Sequence, residues 1–112
     1  MDTQLAHAGS IIEQILGEHA QIPYAYGHVS SVPIFDRERH QYVLMDIGWE
    51  DDQRIHGCLV HVAVRDGKVW IEYDGTEAGV AGALVAAGIP HDRIVLAFHR
   101  PSVRPSTGFA VA

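Results

Sequence analysis

The dipeptide Asp66-Gly67 constrains this chain more than any other feature. Both central residues of a type I′ turn need positive φ, so Asp-Gly between two β-forming runs marks a tight hairpin. Residues 54–65 form the first run and the longest predicted strand, with Cys58, Val60, Val62 and Val64 on one face and Leu59, His61 and Ala63 on the other. Both faces are largely apolar, the mark of a central strand covered on both sides or within an oligomer. Residues 68–74 return with clean alternation, Val69, Ile71 and Tyr73 against Lys68, Trp70, Glu72 and Asp74. Asp74-Gly75 breaks this strand. Thr76 is placed to cap a helix over residues 77–87, with Glu77 in its first turn and Val80, Ala81, Leu84 and Val85 inward. Gly88 followed by Pro90 is the usual stop signal.

The remaining elements build outward from this unit. Leu5, Ala8, Ile12, Ile15, Leu16 and Ala20 recur at three- and four-residue steps, which predicts an amphipathic helix over residues 4–21, ended by Pro23. Residues 24–27 connect it to a strand over 29–35, where Pro33 places that strand at a sheet edge or in a bulge. Residues 41–49 form the next strand. The chain then reads as one domain over residues 1–112 and as an α+β fold: an N-terminal helix, an antiparallel meander of four strands, a second helix, and one or two short C-terminal strands. Of these, residues 94–98 are expected to run parallel to a neighbour after the helical crossover. Residues 107–111 are either a last edge strand or a docked tail.

The formal net charge of −6 disfavours broad nucleic-acid binding, which needs Lys and Arg to displace counterions from phosphates. All 14 acidic residues lie at or before Asp92, whereas Arg93, Arg100 and Arg104 follow it. The C-terminal segment is thus free of acidic side chains and able to meet an acidic surface. No apolar run approaches the roughly 20 residues of a membrane span. Cys58 is the single cysteine, which excludes an internal disulfide and points to a reducing, cytoplasmic setting. Its place in an apolar strand predicts a buried, inert thiol.

Eight histidines invite a metal reading that their spacing does not support. There is no C-x-x-C and no H-E-x-x-H, and His56 and His61 fall on opposite faces of one strand. No metal or other cofactor is therefore assigned. Phosphate-binding glycine motifs and the G-x-S-x-G nucleophile elbow are also absent. Asp74, Glu77 and His61, with His99 behind them, are the acid–base candidates, because two carboxylates and an imidazole at one sheet edge could activate water. Turn and cap duty for Asp74 and Glu77, and a hydrogen-bonded core position for His61, account for the same residues without catalysis.

Ile34-Phe35-Asp36-x-Glu38-Arg39, Gly48-Trp49, Arg54-Ile55-x-Gly57, His61, Asp66-Gly67-Lys68-Val69-Trp70-Ile71 and Asp74-Gly75-Thr76-Glu77 occur in that order. Leu84-Val85, Gly88-Ile89-Pro90, Asp92-x-Ile94-Val95-Leu96, Phe98-His99-x-Pro101, Arg104 and Thr107-Gly108-Phe109-Ala110 follow. In this order and spacing the chain resembles the XisI family, named for the fdxN element excision controlling factor of cyanobacteria. The resemblance covers nearly the whole chain. His19 departs from it, standing where a tyrosine is expected.

The resemblance implies a small α+β accessory protein in the regulated excision of a DNA element during heterocyst development, associated with a XisH-like protein while a separate recombinase exchanges strands. It supplies no catalytic residues. Two classes of function follow. One is a non-catalytic controlling factor whose partner surface comprises Trp70, Asp74, Glu77, His99, Arg100, Arg104 and Thr107. The other is a small hydrolase or nuclease component using His61, Asp74, Glu77 and His99. The doubly apolar central strand adds an expectation of a homodimer or larger oligomer.

Overall fold

The computed structural model describes residues 7–24 and 28–112. Helix α1 spans Ala8–Ala20, followed by strands β1 (His28–Asp36), β2 (Gln41–Glu50), β3 (Gln53–Arg65) and β4 (Lys68–Asp74). A short helix α2 (Ala81–Ala86), a 3₁₀ turn (His91–Arg93), strand β5 (Ile94–Leu96) and a second 3₁₀ turn (Arg104–Ser106) complete the chain. The start of the predicted first helix, with Leu5, and most of the 24–27 connector lie outside the described residues.

The five strands lie in one sheet in sequence order. The first four form an antiparallel meander, and β5 pairs parallel to β4, as a helical crossover requires. Asp66 and Gly67 have φ of 52° and 71°, which is the type I′ hairpin read from the sequence. Pro33 sits in β1, the sheet edge, where a missing backbone donor is tolerated. Residues 107–111 form no strand; a single bridge from Ala110 to Val95 docks them beside β5.

Both helices pack on one face of the sheet. Ala8, Ile12 and Leu16 of α1 and Leu84 of α2 join Tyr42, Leu44, Val60, Val62, Val69 and Ile71 in one buried cluster. Each fully buried aliphatic side chain of this kind is worth about 1.5–3 kcal/mol of transfer free energy.

Two β-bulges break the period-2 pattern, and they explain two departures from the sequence reading. Leu44 pairs with Val60 but Met45 pairs with Cys58, which leaves Leu59 as the extra residue. Leu59 and Val60 both turn toward the core, and the alternation resets beyond them. Cys58, expected to be buried, is therefore exposed on the opposite face. Likewise His61 pairs with Tyr73 while Val62 pairs with Ile71, so Glu72 is extra. Tyr73 thus leaves the Val69–Ile71 face and stands 50% exposed beside His61.

The second helix is shorter than its hydrophobic pattern suggests. It starts at Ala81, after Gly79 has taken φ of +79°, a left-handed conformation that a helix cannot continue. Thr76 and Glu77 are accordingly not its cap and first turn, and no side chain caps this helix. Val85, expected inside, is 41% exposed, because so short a helix buries only Val80, at its cap, and Leu84.

Candidate functional site

The loop between β4 and α2 is built around one carboxylate. Asp74 Oδ1 accepts hydrogen bonds from the Thr76 amide at 2.9 Å and the Thr76 hydroxyl at 2.6 Å. Its Oδ2 accepts from the Val80 amide at 2.7 Å, and Thr76 Oγ1 accepts from the Gly79 amide at 3.0 Å. Gly75 closes against the bulge, its amide donating to the Leu59 carbonyl at 2.7 Å. Asp74 and Thr76 thus do the work of a cap at a distance, ordering an irregular loop by satisfying its amides.

That loop forms one wall of a cleft of about 390 Å³, and the C-terminal end of α1 forms the other. Ile15, Ile22 and Val80 give it an apolar lining, and Glu18, His19 and Glu77 supply polar groups. A second recess of about 170 Å³ shares His19, Ile22, Thr76 and Glu77 and reaches Leu59 and Tyr24. Ile22 is 62% exposed and lines both concave surfaces. Glu77 is exposed and has no ion-pair partner among the described residues. Tyr24 is anchored at the recess by donating to Asp46 Oδ2 at 2.5 Å. Burial first, and this bond second, push its hydroxyl pKa up. An apolar slot with carboxylates and an imidazole around it suits an apolar side chain carried next to a basic group.

The other residues singled out from the sequence fall into three places. His61 lies on the sheet face away from the helices, with Nε2 2.7 Å from Gln41 Oε1. Asp74, opposite Val60, points to the helix face. His61 therefore does not meet Asp74 and Glu77, and no group of three or more His, Cys, Asp or Glu side chains among the described residues could hold a metal. Trp70 also lies on the outer face, with the Arg65 guanidinium stacked 3.9 Å above its ring and its indole N–H donating to the Arg65 carbonyl. It does not share a surface with Glu77.

Arg104 is turned inward to the backbone of its own segment. Nε donates to the His99 carbonyl at 3.0 Å, Nη2 to Ala97 at 3.2 Å and Nη1 to Val111 at 3.4 Å. Thr107 Oγ1 donates to the Arg104 carbonyl and accepts from the Phe109 amide. These two residues fold the C-terminal segment and leave Arg100 as its exposed cation. His99 stacks against Phe98 at 4.6 Å between ring centres.

Sequence reasoning found Asp74, Thr76 and Glu77 but missed the α1 wall of the cleft. The available signals were the departure at His19 and the apolar Ile22 just past the helix end, before Pro23.

No curated protein sequence matches the chain. Among solved structures, a XisI-like protein from Anabaena variabilis ATCC 29413 superposes with a TM-score of 0.86 at 31% identity, covering 96% of this chain and 99% of the other. A second, described as fdxN element excision controlling factor XisI from the same organism, gives 0.82 at 32% identity, with coverage of 97% and 99%. The family model described as XisI protein matches residues 1–111, and the chain belongs to the XisI family.

Proposed function

We propose that this protein is a non-catalytic accessory factor in the regulated excision of a DNA element, and that it acts by holding a XisH-like protein partner in the cleft between α1 and the β4–α2 loop. The observation that carries the reading is the likeness, over almost the full length of both chains, to a fdxN element excision controlling factor. The geometry supports it. Asp74, Thr76, Arg104 and Thr107 spend their hydrogen bonds on shaping loops, which suits a rigid docking surface. The net charge of −6 fits action through a protein rather than along DNA. Glu18 and Glu77 beside Ile15 and Ile22 suit a partner segment with an apolar anchor flanked by lysine or arginine.

Co-expression of this chain with a XisH-like protein, with capture through a tag on one of them, tests the proposal. The wild type is expected to recover the partner stoichiometrically. Glu77→Arg and Ile22→Asp, both at exposed positions, are expected to abolish recovery while the variants stay folded. Recovery unchanged in both variants would refute the placement, and no recovery by the wild type would refute the partner.

A further inference from the structure

The sheet face turned away from the helices is apolar across four strands. In register it presents the row Val32, Met45 and Cys58, and next to it the row Ile34, Val43, His61 and Tyr73. Neither row contains Asp, Glu, Lys or Arg, in a chain with 22 such residues. Ile34 is 52% exposed, Tyr73 50% and Val32 37%. Among the described residues this face is closed over near β5, where Ala63 and Val95 are buried outside the main core cluster. An antiparallel sheet that meets water on one side ordinarily alternates to polar residues there; in these two rows His61 is the one strongly polar side chain, and Ser30, His56 and Gln41 lie in the flanking rows.

We propose that this face is the interface of a symmetric homodimer, a second copy of the chain being its occupant. The inference does not depend on the function proposed above. Charge identifies the occupant. At a two-fold interface each patch meets itself, so any fixed charge near the axis would face its own like. The two central rows have none. The charged groups stand at the margins, Arg54 stacked beside Trp49 at one end, and Asp36 and the Arg65–Glu72 pair at the other. An apolar centre with a polar rim is the usual anatomy of a stable interface.

The area is sufficient. Three strands of about nine residues each and the seven-residue β4, about 4.8 Å apart with about 3.3 Å per residue, give a face of roughly 540 Å² per copy. The total of about 1,100 Å² clears the roughly 1,000 Å² expected of a biological interface and lies at the small end of the specific ones. Trp49, 49% exposed at one end, is of the type that dominates binding energy.

Sedimentation velocity on the full chain over a micromolar concentration series tests this. The wild type is expected at twice the chain mass. Ile34→Glu and Tyr73→Glu each place a like charge on both sides of the axis and are expected to weaken the dimer at least tenfold. Both positions are half exposed, and circular dichroism is expected to show the fold retained. Ile22→Glu, on the helix side, is expected to leave the dimer intact. A wild-type monomer throughout the series would overturn the proposal. So would a dimer that survives both outer-face variants or dissociates only with Ile22→Glu. A monomer whose binding of a XisH-like protein is lost on Ile34→Glu would overturn it as well, assigning the face to that partner.

Discussion

Replacing Asp74 with alanine should destabilise the fold far more than its partly exposed position suggests. Its carboxylate accepts three hydrogen bonds, from the Thr76 amide, the Thr76 hydroxyl and the Val80 amide. Hydrogen bonds to charged groups contribute about 1.5–3 kcal/mol each when buried. Water reaches these amides once the loop relaxes, so a lower figure of about 1 kcal/mol each is appropriate, for a total of about 3 kcal/mol. That is a large share of the roughly 5–15 kcal/mol by which domains are stable. For a chain of this size it corresponds to a fall of about 12 °C in Tm, at about 4 °C per kcal/mol. Asp74→Asn keeps one acceptor oxygen but turns an amide nitrogen toward the Val80 N–H, and is expected to lose about half as much. Urea unfolding followed by circular dichroism measures both variants, with an unchanged slope showing that the denatured state is not responsible. A loss under about 0.5 kcal/mol for the alanine variant, the scale of ordinary surface changes, would refute the reasoning.

Further outcomes are expected at other sites. Arg104→Ala removes three bonds to the carbonyls of Ala97, His99 and Val111 and should speed amide exchange across residues 97–111, whereas a peripheral binding arginine would leave that exchange unchanged. Gly48→Ala would drive a Cβ into the His28 carbonyl oxygen, costing about 2 kcal/mol or more, while Gly57→Ala, with open space around it, should be near neutral by thermal melting. Partial desolvation first, and the Asp46 charge second, push the Cys58 thiol up, so in the Ile34→Glu variant, whose outer face is open, alkylation by iodoacetamide should follow a pH profile displaced above that of free cysteine, and adding Asp46→Asn should move it part of the way back. The hydrogen bond from Arg37 lowers the Glu13 carboxyl pKa from its ordinary 4.5. The stabilisation from this pair is complete above that value and is lost as pH falls through the lowered folded one. With the Arg37 side chain 79% exposed, solvent screens the pair, and a double-mutant cycle at neutral pH should give a coupling no larger than that of an ordinary surface ion pair.

The order of elements was legible because each boundary carries local chemistry. Asp66-Gly67 forces the hairpin, Pro33 goes to the edge, and Gly88 before Pro90 ends α2. The parallel pairing of β5 followed from the crossover alone. The bulge at Leu59 was not legible, because an inserted residue leaves no mark in a run that is apolar on both faces, and the one at Glu72 was hidden because Tyr73, apolar in body and polar at its tip, continues the alternation on paper and fits an exposed face equally well. They moved Cys58 and Tyr73 to the outer surface. The truncation of α2 was hidden for a different reason. Thr76 and Glu77 make a plausible cap signature, but Asp74 binds the Val80 amide across six residues and holds an irregular loop in the place of a first helical turn. Arg104 read as a free cation because sequence shows charge but not the three carbonyls that receive it. The cleft was only half visible, since its α1 wall depends on how Ile15, His19 and Ile22 face a loop some sixty residues later.

The central claim is that a XisH-like partner is held in this cleft, and hydrogen–deuterium exchange on the saturated complex tests it most directly. The account predicts slowed exchange at residues 75–80 and 15–22 on binding, with the C-terminal segment unchanged. Saturated binding that leaves both of those stretches unprotected would contradict it.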